Sequence, residues 1–120
     1  MSTKKKLNQE RKFIMSVLAL NQLNFDETLN TEKTVLVDFW APWCAPCRAL
    51  APIFEAVAAE YDGRVTMGKF NVDAGISIPA EYGIRSIPTI LFFKNGELID
   101  KQLGAVSREA LIDKIENLMK

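Results

Sequence analysis

The sequence predicts an α/β protein in which helices cover both faces of one mixed β-sheet. Apolar segments of strand length alternate with amphipathic segments of helix length, and the last two strand-like segments flank an Asn-Gly turn. The length of 120 residues suits a single domain with a real core. Strands separated by helices run parallel, whereas a hairpin makes an antiparallel pair. We therefore expect about five strands and about four helices, in the order β-α-β-α-β-α-β-β-α.

The five strand-like segments are rich in apolar and β-branched residues. The segment 34–39 is apolar nearly throughout, as expected of a central strand that is covered on both faces. Residues 94–97 read Lys-Asn-Gly-Glu, and Asn-Gly is the strongest short signal for a hairpin. The predicted strands are Val17–Leu20, Thr34–Phe39, Val65–Asn71, Thr89–Phe93 and Leu98–Leu103.

The helix-like segments carry apolar residues on one stripe, and three of them follow a residue that can cap a helix. The longest contains Pro52 and ends at Asp62-Gly63, a sequence typical of a helix C-terminus. The predicted helices are a short one over 23–29 capped by Asn21, a long one from about 44 to 61, a short one capped by Ser77, and a last one capped by Ser107.

The composition excludes several classes of function. Basic and acidic residues number 15 each, so no overall field attracts nucleic acid or anionic lipid. The absence of histidine excludes Cys-His catalysis, serine triads and Cys2His2 zinc sites. Two cysteines cannot complete a tetrahedral zinc site within one chain. No apolar run approaches the roughly 20 residues that cross a bilayer. We expect no metal, no nucleic acid and no membrane.

The first 12 residues are polar and basic, and we expect a tail that precedes a domain of residues 13–120. The basic residues are followed by the apolar run 13–20, which superficially resembles a signal peptide. That run is near the lower length limit, and residues 21–24 offer no small-residue cleavage site. We therefore predict that this region is a basic tail followed by a strand, with a targeting segment as the alternative.

The two cysteines form the run Cys44-Ala45-Pro46-Cys47, where the predicted central strand ends and the long helix begins. Unpaired N–H groups and the positive end of the helix dipole favour the thiolate of Cys44 there. Two intervening residues bring the sulfurs within bridging distance across one helical turn. The residues predict a reactive dithiol. Inert core cysteines, and half of a metal site completed by a second chain, are the alternatives.

Three separate segments resemble the signature motifs of the thioredoxin family, and especially of its bacterial and plastid m-type members. Residues Val37–Cys47 resemble the family's active-site motif, and Tyr82–Thr89 resemble its second motif. Phe93–Gly96, followed by Gly104, resemble its third motif. The similarity extends from about residue 17 to residue 118. It implies the thioredoxin fold and a protein thiol–disulfide oxidoreductase that reduces substrate disulfides and maintains cell redox homeostasis.

The resemblance implies a chemical role for four residues. Cys44 would be the exposed nucleophile that forms a mixed disulfide with the substrate, and Cys47 would resolve it. Asp38 interrupts an apolar strand, where a carboxylate is costly unless it is paired or protonated. The family role makes Asp38 a buried proton acceptor and donor for Cys47 with a raised pKa, and Lys69 its partner. The alternatives for Asp38 are a strand end that reaches water and a structurally satisfied carboxylate.

The resemblance also implies a docking surface for an extended substrate peptide. The Ile87-Pro88 bond would be cis and face Cys44, leaving backbone groups of Ile87 free to pair like an added strand. Most thioredoxins have Gly where this chain has Ala45, which should allow the first helical turn to form normally. Trp40 is expected in the core. The predicted substrate-binding residues are Trp43, Ala45, Pro46, Ile87, Pro88 and Gly104.

The resemblance implies no bound cofactor other than the redox-active disulfide between Cys44 and Cys47. Its partners would be disulfide-containing proteins and a thioredoxin reductase, either an NADPH-dependent flavoprotein or a ferredoxin-dependent enzyme. We expect a monomer in the cytoplasm, with the plastid stroma or export as the alternative. Two other functions stay open: an oxidase or tethered reductase in an oxidising compartment, and a binding module whose thiols are idle.

Overall fold

The five strands form one sheet in the order β1-β3-β2-β4-β5. The computed structural model describes residues 16–120, and the predictions of a tail over 1–12 and of a domain beginning at residue 13 lie outside the described residues. Strands β1, β3 and β2 run parallel, whereas β4 is antiparallel to both β2 and β5. The strands are β1 (Val17–Leu20), β2 (Thr34–Trp40), β3 (Val65–Asn71), β4 (Thr89–Lys94) and β5 (Glu97–Leu103).

Four α-helices flank the sheet within the described residues, and a 3-10 turn follows β3. The mixed sheet and these helices confirm the predicted fold class and element order. None of the helices in residues 16–120 is both long and apolar enough to cross a membrane. The helices are α1 (Phe25–Leu29), α2 (Ala45–Glu60), α3 (Ser77–Glu81) and α4 (Arg108–Met119), and the 3-10 turn covers Val72–Ala74.

The central strand β2 separates two cores because its side chains alternate between the faces of the sheet. Val35, Val37 and Phe39 pack with residues of α1 and α3, on what we call the α1/α3 face. Leu36 packs with residues of α2 and α4, on the α2/α4 face. The alternation places Asp38 on the α2/α4 face as well.

The hairpin between β4 and β5 forms where the sequence predicts it. Asn95 and Gly96 both adopt positive φ, 53° and 78° respectively. This backbone matches a two-residue turn whose twist fits that of the strands, and Asn and Gly are the residues that tolerate it. The predicted cap of the last helix is also confirmed, since the Ser107 Oγ accepts a hydrogen bond from the Ala110 N–H at 3.1 Å.

The two short helices begin differently from the prediction. Asn21 caps a turn rather than the helix, because its Oδ1 accepts the N–H groups of Leu23 and Asn24 at 2.8 and 3.0 Å. The predicted side-chain cap by Ser77 is wrong, since the cap position is Ile76 and makes no side-chain bond. The Ser77 N–H instead donates to Gln22 Oε1 at 2.9 Å, an acceptor 55 residues away that local sequence does not reveal.

Candidate active site

The cysteine pair lies at a strand–turn–helix junction that the backbone holds tightly. The Cys44 N–H donates to the Ala41 carbonyl at 3.1 Å, which closes the turn after β2. Cys44 is then the N-cap of α2, with extended backbone, and its carbonyl accepts the N–H of Arg48 at 3.1 Å. Ala45 and Pro46 form the start of the helix, where proline lacks a donor that would be unpaired anyway. The predicted placement of the pair at the start of the helix is confirmed.

Cys44 and Cys47 form a disulfide, with their Cα atoms 5.2 Å apart. The Cys47 N–H points at the Cys44 Sγ at 3.3 Å, so one of the free donors of the helix start faces this sulfur. That contact, together with the helix dipole, stabilises negative charge on Cys44 once the disulfide is reduced. Both residues are buried, so the expected exposure of Cys44 is wrong, although Cys44 is the more accessible of the two, with 6% of its surface exposed against 2%.

The Ile87-Pro88 turn lies against the disulfide, and its peptide bond is cis as the resemblance implied. The Ile87 carbonyl oxygen is 3.8 Å from the Cys44 Sγ, although 43 residues separate them in sequence. The Pro88 carbonyl accepts the N–H of Gly104 at 2.8 Å. Gly104 has a φ of 82°, which glycine adopts without strain. The structure therefore brings all three residues of the predicted docking turn to one place beside Cys44.

Trp43 extends from the same junction and leaves 67% of its surface exposed. Its indole Nε1 donates to the Asp73 Oδ2 at 2.9 Å, which anchors one edge of the ring. Asp73 is itself oriented, because its N–H donates to the Asn71 Oδ1 at 2.9 Å. Sequence reasoning missed Asp73, which lies 30 residues from its partner and carries no local signal. An anchored, exposed ring is suited to contact with another protein.

Arg48 supports the active-site turn from the first part of α2. Its guanidinium Nη1 donates to the Pro42 carbonyl at 3.0 Å, across six residues. The bond fixes the turn that carries Trp43. Sequence reasoning did not assign this residue either, since an arginine after the second cysteine reads as an ordinary helix surface residue.

Asp38 is the ionisable residue buried in the sheet, with 2% of its surface exposed. Its Oδ1 has no hydrogen-bond partner within residues 16–120. Burial raises the pKa of Asp38 from 3.8 to about 7, against a smaller lowering by the positive charge of Lys69. A raised pKa is what the role implied by the resemblance requires, and the alternative in which Asp38 reaches water is wrong.

Lys69 occupies the position of β3 that pairs with Asp38 on β2. Its ammonium group contacts a ring rather than the carboxylate: Nζ lies 4.1 Å from the centroid of the Trp40 ring system. Trp40 is half-buried, so its expected place in the core is wrong. Trp40 packs against the cluster that contains the cysteine pair, as Ile87 also does.

The donor set of the site suits thiol chemistry. Within residues 16–120 no three His, Cys, Asp or Glu side chains lie close enough together to hold a metal ion. The disulfide is itself a two-electron redox group, and it lies at a helix start with the Ile87 carbonyl near the Cys44 Sγ.

The thioredoxin family model matches residues 16–117. The chain belongs to the thioredoxin family. It is 48% identical to a chloroplastic M-type thioredoxin of Pisum sativum over 107 residues, which are 88% of this chain and 62% of that protein. It is 48% identical to a thioredoxin of Porphyra purpurea over 98 residues, 81% of this chain and 92% of the relative. A thioredoxin of Rickettsia felis is 49% identical over 87 residues, 72% of this chain and 83% of the relative.

Family membership and the disulfide at the Cys-x-x-Cys position agree on the class of activity. Members of the thioredoxin family are protein thiol–disulfide oxidoreductases, and this chain carries their redox-active disulfide between Cys44 and Cys47. The similarity to plastid M-type and bacterial proteins confirms the resemblance drawn from the motifs. The chain spans about three fifths of the pea relative, so the substrates and partners of the whole protein are matters for proposal.

Proposed function

We propose that this chain reduces disulfide bonds in other proteins by dithiol–disulfide exchange at Cys44 and Cys47, and so maintains cell redox homeostasis. The observation that carries the proposal is the Cys44–Cys47 disulfide at the start of α2, with the Ile87 carbonyl 3.8 Å from the Cys44 sulfur. A sulfur that is activated by a helix start and lies beside the peptide backbone of a neighbouring turn is suited to attack a disulfide in an extended segment.

The exchange takes two steps that together pass two electrons to the substrate. The Cys44 thiolate attacks one sulfur of the substrate disulfide, and the other substrate sulfur leaves as a thiolate, which is then protonated. The Cys47 thiolate next attacks the Cys44 sulfur, restores the Cys44–Cys47 disulfide and releases the second substrate thiolate. Cys47 must lose its proton before the second step, and the buried Asp38 on the same face of the sheet is the group we assign as its acceptor.

Lys69 takes the role of the charged partner of Asp38, supported by their pairing across β2 and β3. The substrate segment would lie along Ile87 and Pro88, with Gly104 beside them. The exposed ring of Trp43 and the helix start at Ala45 and Pro46 would complete the surface.

The partners we propose are disulfide-containing proteins and a thioredoxin reductase that returns electrons to the Cys44–Cys47 disulfide. The reductase would be an NADPH-dependent flavoprotein or a ferredoxin-dependent enzyme. The relatives include a chloroplastic M-type thioredoxin and a bacterial thioredoxin, which supports the cytoplasm or the plastid stroma as the location. We expect the chain to act as a monomer without a bound cofactor.

An insulin-disulfide reduction assay tests the proposal and identifies the electron donor. The full chain is incubated with insulin and, in separate reactions, with NADPH plus a flavoprotein thioredoxin reductase or with reduced ferredoxin plus its reductase. We expect rapid insulin precipitation with at least one donor. Cys44→Ser should reduce the rate to that without the chain, because the attacking sulfur is gone.

The matched control is Cys47→Ser, which keeps Cys44 and removes only the resolving sulfur. This variant should accumulate a mixed disulfide with insulin, visible on non-reducing gels, whereas Cys44→Ser should form none. Insulin reduction by Cys44→Ser at the unaltered rate, or a mixed disulfide in that variant alone, would contradict the assigned roles.

A further inference from the structure

An aromatic ring, rather than a carboxylate, holds the ammonium group of Lys69. The Lys69 Nζ lies 4.1 Å from the centroid of the Trp40 ring system, well inside the roughly 6 Å over which a cation is attracted to a ring face. Both residues are half-buried. Tryptophan binds a cation better than tyrosine or phenylalanine does, because its ring carries the strongest negative face.

The strand register places Lys69 beside both Asp38 and Trp40. Lys69 on β3 pairs with Asp38 on β2, and Trp40 lies two residues further along β2. Residues two apart on a strand share a face, so the carboxyl group and the indole both project from the α2/α4 face beside Lys69. Nevertheless no direct ion pair joins Lys69 to Asp38 among the salt bridges of residues 16–120.

The Lys69 charge still acts on Asp38 from this position. It lowers the pKa of the carboxyl group, although burial raises that pKa by more. A direct ion pair would require the ammonium group to leave water for a site where Asp38 is 2% exposed, and that desolvation is expensive. Without any restraint the flexible lysine would extend into solvent, where its charge is screened. The Trp40 indole holds the Lys69 ammonium group between these two extremes, neither fully in solvent nor in direct contact with the carboxylate.

We propose that Trp40 is a positioning residue that holds the Lys69 ammonium group close enough to Asp38 to act on its charge, in place of an ion pair. This deepens the proposed function, because it rests on the proton exchange assigned to Asp38 and Cys47. A paired lysine would keep the carboxylate ionised. A lysine held by the ring favours the ionised form only in part, so Asp38 can both accept and return a proton.

The test measures the Asp38 pKa by NMR, from the side-chain carboxyl carbon of aspartate-labelled protein titrated in the oxidised state. With the disulfide closed neither cysteine titrates, so the measurement reports the surroundings of Asp38 and does not depend on any reductase activity. Trp40→Leu should raise the Asp38 pKa by about 1, the size expected when a unit charge withdraws from about 6 Å to about 12 Å in a medium of effective dielectric near 20. Lys69→Met should raise it at least as much.

The double variant decides between positioning and a merely structural effect. In the Lys69→Met background Trp40→Leu should have no further effect on the Asp38 pKa, because the ring acts only through the lysine. An equal rise in both backgrounds, an unchanged pKa or a lowered pKa in Trp40→Leu would each overturn the proposal. The matched control is Trp43→Leu, which removes the tryptophan that contacts Asp73 instead and should leave the Asp38 pKa unchanged.

A conservative variant keeps the test decisive if Trp40→Leu fails to give the dispersed NMR spectrum of a folded protein. Trp40→Phe retains a ring with a weaker attraction for cations, so it should raise the Asp38 pKa by less than Lys69→Met does. A rise as large as that of Lys69→Met would show that the ring face contributes nothing. Failure of the insulin assay would leave these pKa measurements standing, so the two proposals fail separately.

Discussion

The two faces of the sheet bury cores of different kinds. On the α1/α3 face the Phe25 ring lies among four others, with centroid distances of 6.4, 6.1, 5.6 and 6.1 Å to Phe39, Phe70, Tyr82 and Phe93. The α2/α4 face is packed mainly with aliphatic side chains, and it also holds Asp38 with its pKa raised to about 7. The core of one face is therefore aromatic and aliphatic, while the face that bears the active-site helix keeps a carboxyl group that destabilises the fold when it ionises.

The largest effect should come from the aromatic face. Phe25→Ala should lower the free energy of unfolding by about 3 to 5 kcal/mol, because it opens a cavity among four rings at a position with no exposed surface. Urea denaturation of the oxidised protein measures the loss. The folded fraction should reduce insulin at nearly the rate of the unaltered chain, since none of the five rings is a residue of the site, although Ile87 packs against this core. Slower insulin reduction by fully folded Phe25→Ala would show that the α1/α3 core also affects the active site, contrary to this prediction.

Asp38→Asn should produce the opposite change in stability, and the change should depend on pH. The folded pKa of Asp38 is raised, so the favourable state of this residue is fully present below the unfolded value of 3.8 and is lost as pH rises through about 7. Removing the ionisable group should therefore stabilise the oxidised protein by up to about 4 kcal/mol at pH 8.5 and by little at pH 4.

Urea denaturation at the two pH values checks this prediction. Asp113→Asn is the matched control, because Asp113 is exposed on α4 and its substitution should change stability little at either pH. An equal stability change for Asp38→Asn at pH 4 and pH 8.5 would show that Asp38 is not the source of the pH dependence. The variant should also slow release of the mixed disulfide more than its formation.

We expect the smallest change in stability from a polar side chain on the α2/α4 face that has a hydrogen-bond partner. The Tyr61 hydroxyl donates to the Glu116 Oε1 at 2.5 Å and joins the end of α2 to α4. That hydrogen bond, with burial and nearby negative charge, raises the pKa of Tyr61 to about 12. Tyr61→Phe should cost about 1 kcal/mol below pH 10, and the difference should disappear as the pH approaches 12.

Thermal or urea unfolding of Tyr61→Phe at pH 7 and pH 11 measures this contact. Glu116→Gln is the control, since an amide oxygen can still accept the bond and the loss should be smaller. A loss in Tyr61→Phe that matches the effect of Asp38→Asn in size would mean that buried polar groups on this face cannot be ranked by whether they have a partner.

Local signals in the sequence were sufficient for the elements and for the reactive pair. The Asn95-Gly96 turn and the Ser107 cap depend on residues within a few positions of each other, and the structure contains both. The same is true of the two cysteines at the start of α2. The acid in an apolar strand could be identified because it breaks a local pattern.

The features that were missed depend on distant partners. The Ser77 cap was wrong because Gln22, 55 residues earlier, supplies the acceptor. Trp40 was expected in the core because tryptophan is more often a core residue than a contact residue, whereas its contact with Lys69 arises only when β2 and β3 pair. The hydrophobic pattern of a segment predicts which of its residues are buried. It does not predict which side chains of different strands are in contact.

The disulfide joins two residues that are close in sequence, and this limits how much it contributes to the stability of the fold. Cys44 and Cys47 are three residues apart, so the bond closes a loop of one helical turn. In the chain-entropy view such a loop restrains the unfolded chain by only about 2 kcal/mol, compared with about 3 kcal/mol for a 15-residue loop. The cross-link thus contributes little to holding the sheet together. We therefore expect the hydrogen-bonded strands and both cores to stay in place when the disulfide is reduced, so that one molecule can pass through many cycles of oxidation and reduction without unfolding.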